Sequence, residues 1–231
     1  MLNNRPVPWT LLDCVWASLP AALLFGWSAV RRIMGHPTAL RQAGSPGKIA
    51  AIFLITAAVW IVPVYIVAIR KRGARAADLG FSRPPWGLSA RLVGSAFLIL
   101  WAFGALWQVV TRHFHISVQP DMLKMFPEGW RGLVLALLLG ALVAPIAEET
   151  FFRGFLLGGL RKKYPFWIAA GISSLIFAVG HMVPGAILPI GVLGLLLAWL
   201  RERTGSIWPS IAMHMLNNGL YFVVRFLLQT K

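Results

Sequence analysis

Residues 147–154 read AEETFFRG: Ala147, Glu148, Glu149, Thr150, Phe151, Phe152, Arg153, Gly154. The stretch lies between GLVLALLLGALVAPI and FLLGGL, so three charges sit inside one of the most apolar parts of the chain. On insertion scales each mid-bilayer charge costs about 2.5–3.5 kcal/mol, so three left in lipid would cost roughly 8–10 kcal/mol. They must face a protein interior or a wet cavity. Helix geometry separates them: Glu149 and Arg153, four apart, share a face, while Glu148 points about 100° away. Glu149 and Arg153 can form a desolvated ion pair, for which the bidentate fork of arginine suits a carboxylate. Glu148 is then the carboxylate left free for chemistry. The alternative is that all three make a buried polar clamp between helices.

Working outward, the whole chain suits a membrane. Of 231 residues, 58% are hydrophobic and 13% charged, and the mean hydropathy is +0.72. Such a composition exceeds the usual globular range, and 11 Trp with 14 Phe fit the headgroup boundary. The net charge of +15 is carried by clusters such as RKRGAR and RKK between apolar runs. Anionic lipid headgroups are therefore the expected partners of these bases, not nucleic acid. One cysteine, Cys14, excludes an intrachain disulfide and any Cys-rich metal site.

Apolar runs long enough to span the bilayer fall at about 9–30, 49–69, 92–110, 132–160, 166–183, 185–200 and 207–228. The first, after Arg5, is too long for a signal peptide core and is kept as a span, with Asp13 near its start reaching the interface. The fourth is over-long, which points to tilt or a break. The fifth and sixth are divided only by Pro184 and Gly185, as a tight hairpin or one interrupted helix, and the sixth is short. Residues 70–91, basic and broken by Pro and Gly, read as a connector on the membrane surface. Residues 111–131, with His113, His115, Asp121 and Glu128, read as a polar loop. The expectation is an all-α, polytopic bundle of about seven spans, with room for an eighth, enclosing a polar cavity. It forms a single integral membrane domain over 1–231, with the motif-bearing core at 132–228. A cytoplasmic N-terminus places about 12 Lys and Arg on the cytoplasmic side against about 9 opposite, a narrow positive-inside margin.

Two more spans carry ionisable groups. Phe177 and His181 are four apart before Pro184; His214 stands four before Asn218, with Asn217 weaker for the same face. Taken singly, each fits a packed histidine or an interhelical hydrogen bond. Together they offer a base, two imidazoles and an amide donor on three spans. Amide hydrolysis needs a base for water and donors for the tetrahedral oxyanion. Glu148 suits the first task, His214 and Asn218 the second, and His181 can hold the water or relay its proton. Ser173 and Ser174 have no evident triad.

Glu148-Glu149-x-x-x-Arg153, Phe177-x-x-x-His181 and His214-x-x-x-Asn218, in that order on successive apolar segments, resemble the CPBP (Abi) family. That family includes type II CAAX prenyl endopeptidases and bacteriocin-processing or immunity proteins. The run RTGSIWPSIAMHMLNN (203–218) and DLGF (78–81) are similar to further elements of it. The resemblance implies an intramembrane endopeptidase with Glu148 as base, His181 as its water-binding partner, His214 and Asn218 as oxyanion hole, and Glu149 and Arg153 as support. It departs from the family in having seven runs where eight spans are common.

Zinc on Glu148, His181 and His214 is the alternative to a metal-free mechanism, although Glu148 would then be a ligand and no longer the base. No HExxH is present. The expected substrate is a peptide or membrane-protein segment. An Ala-, Arg- and Leu-rich chain suggests a bacterial cytoplasmic membrane, where leader peptides or bacteriocins suit better than prenylated CAAX tails. The competing functions are a catalytically silent immunity or scaffold protein of the same family, and a transporter or channel. The intact Glu148, His181, His214 and Asn218 count against the first, and the lack of a visible inverted repeat against the second.

Overall fold

A computed structural model describes residues 7–36, 44–116 and 122–229. Arg5 and Asp121, used in the charge and loop readings above, lie outside them. The described residues form seven helices: α1 (Leu11–Ile33), α2 (Pro46–Lys71), α3 (Trp86–His113), α4 (Gly129–Arg161), α5 (Phe166–Gly180), α6 (Pro184–Thr204) and α7 (Trp208–Gln229). No strand occurs among them. All seven apolar runs are helical, and six of the helices are long and apolar enough to cross a membrane. The chain is a multi-pass helical membrane bundle.

Local chemistry sets several boundaries. Ser45 caps α2 by accepting from the Lys48 amide at 3.4 Å, with Pro46 at the first helical position, where its missing N–H costs nothing. The sequence assigned the shortness to the wrong partner of the 166–200 pair. α5 stops after 15 residues, whereas α6 runs on through Arg201 and Arg203 in its last turn, where cations meet the negative end of the helix dipole. The two form a hairpin. The polar loop also contracts: α3 continues to His113, and a short turn at Met122–Met125 buries Leu123 before α4 begins at Gly129.

α4 is one continuous helix of 33 residues. Two stretches of it, Leu137–Val143 and Thr150–Leu156, widen into π-helical geometry. Each closes its hydrogen bonds one residue later than an α-turn does.

Depth of burial shows which helices are interior. In α4 and α6 the most apolar windows are 39% and 44% buried, against 11–22% for the other four long helices. Leu23 and Trp27 on α1, Leu54 and Ile55 on α2, and Leu98 and Ile99 on α3 are exposed, as a lipid-facing surface requires.

One end of the bundle gathers the N-terminal segment, the 72–85 connector and the α4–α5 and α6–α7 turns. Trp9 Nε1 donates to the Phe155 carbonyl at 3.0 Å, and Lys162 Nζ donates to the carbonyls of Val7 and Trp9. Asp13 lies in the first turn of α1 and is buried there against Arg72 at 2.8 Å and Lys71 at 3.4 Å. Ser82 Oγ donates to the Gly205 carbonyl at 2.9 Å, and the Ile207 amide to the Gly80 carbonyl at 2.9 Å. The connector is therefore fastened over the α6–α7 turn. Exposed Trp86, Trp167 and Trp208 open α3, α5 and α7 at this basic end, an aromatic belt beside cations. At the opposite end, Trp107 Nε1 donates to the Gly185 carbonyl at 3.0 Å, joining the close of α3 to the start of α6.

The α5–α6 hairpin is tight at Gly194, where an added Cβ would lie 2.8 Å from Ser174 Cβ. Gly194→Ala should therefore lower unfolding stability by about 1–3 kcal/mol through overpacking. Gly171 on α5 has open space around it, and Gly171→Ala should be neutral or stabilising by up to about 1 kcal/mol. Thermal melts of both variants in one detergent check the contrast.

Candidate active site

Glu149 is fully buried on α4. Its Oε1 accepts from Arg153 Nη1 at 2.9 Å, the pair that the four-residue spacing predicts. The expected bidentate fork does not form. Arg153 divides its two ends, and Nη2 donates to the Gly194 carbonyl on α6 at 3.0 Å. The close approach of α5 and α6 at Gly194 brings that carbonyl within reach. Glu149 Oε1 is also 3.0 Å from Nδ1 of His214 on α7. A single carboxylate oxygen thus joins α4 to α7, while the guanidinium joins α4 to α6.

Glu148 behaves differently, as its 100° offset requires. Its side chain is 19% exposed where that of Glu149 is 0%, and its Oε2 stands 3.8 Å from His214 Nε2. His214, only 2% exposed, lies between the two carboxylates with one ring nitrogen towards each. With Nδ1–H given to Glu149, Nε2 is the nitrogen turned towards the partly open side.

Phe177 on α5 organises the remainder. The Arg153 guanidinium sits 4.5 Å from the centre of its ring, close enough for a cation–π contact. The ring meets His181 edge-on at 4.7 Å and His214 at 5.8 Å. His181 follows the last residue of α5 and lies 2.8 Å through Nδ1 from the Phe177 carbonyl. A carbonyl only accepts, so Nδ1 carries the hydrogen and Nε2 keeps the lone pair in the neutral ring. The position of His181 follows from helix length. Fifteen residues rise only about 22 Å, short of a hydrocarbon core of about 30 Å. α5 by itself is therefore too short to cross such a core. The chain turns at its end through Met182, whose φ of 54° is uncommon for a side chain of that size. Irregular backbone at membrane depth has to be buried or line a cavity.

Asn218 Nδ2 donates to the Gly140 carbonyl on α4 at 3.0 Å, leaving its second N–H for another acceptor. Asn217 Nδ2 donates to Asn218 Oδ1 at 3.2 Å, so this neighbour orients the amide.

The structure thus brings Glu148, Glu149, Arg153, Phe177 and His214 into one contact network, while Asn218, one turn after His214 on α7, is tied to Gly140 and Asn217. His181 joins it through Phe177 and makes no hydrogen bond to Glu148, His214 or Asn218 among the described residues. No group of three His, Cys, Asp or Glu side chains among these residues is placed to hold a metal ion. Glu148, His181 and His214 are therefore not assembled as a three-ligand set, and the Nδ1 of His214 is already committed to Glu149. Sequence reasoning missed the Glu149–His214 contact and the carbonyl partners of Arg153, His181 and Asn218. Residues 65 positions apart carry no spacing signal, and a carbonyl has no letter of its own.

The match to known families falls on this same region. Residues 130–220 match the family of type II CAAX prenyl endopeptidases described as Rce1-like. The matched segment holds every site residue named above, and the resemblance to the CPBP family read from three motifs is borne out. Over 133 residues the chain is 26% identical to a Bacillus subtilis (strain 168) protein named "Putative membrane peptidase YdiL", covering 58% of this chain and 54% of that one. The chain thus matches about half the length of this relative. Over 202 residues it is 27% identical to an "Uncharacterized 24.3 kDa protein" of Escherichia coli, covering 84% of this chain and 81% of that one. No solved structure matches it.

Removing Arg153 from this site would strand the Glu149 charge, whose side chain is fully buried. Arg153→Ala should destabilise the protein by about 3–5 kcal/mol, the cost of breaking a buried pair from one side. The check is the melting temperature in detergent, in which Arg153→Ala should fall well below wild type.

Proposed function

We propose that this protein is an intramembrane endopeptidase in which Glu148 activates water without a bound metal. The observation that carries the reading is the unequal treatment of two adjacent carboxylates. Glu149 is sealed and committed to Arg153 and His214, while Glu148 is partly open and faces His214 Nε2 at 3.8 Å.

In the proposed reaction, Glu148 takes a proton from water as the water oxygen bonds to the scissile carbonyl carbon. The carbonyl π electrons move onto oxygen. His214 Nε2–H and the spare N–H of Asn218 receive that oxyanion. For His214 to donate from Nε2 while Nδ1 serves Glu149, the ring is an imidazolium. Glu148, Glu149, Arg153 and His214 then sum to zero charge, which a low-dielectric site favours. As the C–N bond breaks, Glu148 returns its proton to the leaving amine. His181, with Nδ1 committed to the Phe177 carbonyl, offers its Nε2 lone pair to the water. Donors preorganised for an oxyanion supply the largest share of such catalysis. The substrate is a peptide or membrane-protein segment that reaches mid-bilayer depth, such as a leader peptide.

The 3.0 Å contact of Glu149 with His214 Nδ1 favours one second reading, in which a neutral His214 is the base and Glu149 orients it. The two readings differ at Glu148. On the first, Glu148→Gln abolishes turnover of a peptide library by protein of unchanged melting temperature, and a chelator leaves the wild type active. If Glu148→Gln keeps activity within about tenfold, His214 takes over as base. If cleavage is chelator-sensitive, a metal enters the mechanism, and if wild type cleaves nothing, the silent immunity or scaffold reading gains. Asn218→Ala should cost about 10²–10³ in kcat, the usual loss on removing one oxyanion donor. Its KM should change little, since the contact is made in the transition state.

A further inference from the structure

At the end of the bundle opposite the basic belt, a groove of about 500 Å³ opens between the starts of α2 and α4. Its size falls within the range of small-ligand sites. Pro46, Glu128 and Arg131 line it near the helix starts, and Val134, Leu135 and Leu138 continue the lining along α4 as an open floor, with Val134 and Leu138 exposed. Exposed Trp130 beside Arg131 marks this level as the headgroup boundary. From Arg131 to Leu138 the floor descends roughly 10 Å into the hydrocarbon, at about 1.5 Å per residue.

The mouth carries two opposite charges that do not neutralise each other. Glu128 and Arg131 are three apart, a spacing that brings side chains together on a helix, yet neither enters an ion pair among the described residues. Arg131 instead lies near the ring of Trp130, 5.8 Å from its centre. Glu128 has no side-chain role as the cap of α4 either. Asp13, Asp78 and Glu202 lie at the basic end, and Glu148 and Glu149 lie in the site. Glu128 is thus the one acidic group described at this end of the bundle.

We propose that this groove binds a zwitterionic aminophospholipid. The phosphate pairs with Arg131, the headgroup ammonium with Glu128, and one acyl chain lies along Val134, Leu135 and Leu138. Charge complementarity selects this occupant. A purely anionic lipid would satisfy Arg131 but place its negative headgroup against Glu128. An uncharged detergent or apolar peptide would leave both charges without partners. The basic end, by contrast, suits anionic lipids. The proposal stands independently of the peptidase reading, since no site residue touches the groove.

The test is native mass spectrometry of the full-length, detergent-purified protein titrated with dioleoyl phosphatidylethanolamine or dioleoyl phosphatidylglycerol. Wild type should retain the ethanolamine lipid about fivefold more than the glycerol lipid, the discrimination expected from one exposed ion pair. Glu128→Gln should abolish that preference while keeping phosphate binding, and Arg131→Gln should weaken both lipids. Val134→Trp, which fills the floor, should lower occupancy by both. Melting temperatures confirm that the three surface variants are folded. Equal retention of the two lipids by wild type, or a preference that survives Glu128→Gln, overturns the proposal. So does occupancy unchanged in Val134→Trp.

Discussion

One carboxylate oxygen buried inside an apolar helical bundle sets most of this architecture. Glu149 Oε1 takes hydrogen bonds from Arg153 at 2.9 Å and His214 at 3.0 Å, and Arg153 reaches on to the Gly194 carbonyl at 3.0 Å. Lipid offers no water to solvate such charges, so helices α4, α6 and α7 have to meet around them. The arrangement also divides labour between the two glutamates. Burying one charge permanently lets the adjacent one stay accessible without leaving the whole site anionic.

Helix shape supports that division. α4 stays unbroken through the bilayer, yet twice relaxes into a wider turn, and the second wide turn includes Arg153. α5 does the opposite and ends early, so that His181 and the strained turn at Met182 follow a helix of only 15 residues. Phe177, 1% exposed, ties the two helices together by touching the guanidinium and both imidazoles.

The sequence was most informative where periodicity and chemistry coincided. Four-residue spacing linked Glu149 to Arg153, and the apolar runs located every helix. It misled where composition hid geometry. The residues after Gly180 are His-Met-Val, apolar enough that the run reads as continuing, although the helix has ended. α6 reads as stopping at its arginines, although cations in a last turn prolong a helix. The divided fork of Arg153 was invisible because its second acceptor is backbone. Asn218 was singled out for its spacing to His214, but its anchor on the Gly140 carbonyl was not legible, since nothing at residue 140 marks it in the sequence. Placing Glu149 under His214 needed the relative rotation of α4 and α7, which no single helical face encodes.

The wide turns of α4 also bear on how this helix tolerates changes in length. A π-turn holds one residue more than the α-turn it replaces. Deleting a residue within Leu137–Val143 can therefore be absorbed by tightening that turn, which keeps everything downstream on its original face. The same deletion within Ala144–Glu149 meets regular α-helix and has no slack to draw on. It would turn the carboxylates by about 100° relative to the helix before them, moving Glu149 into the place of Glu148. Leu137–Val143 is in this sense an expansion joint, and the six residues after it are where the register of the site is fixed.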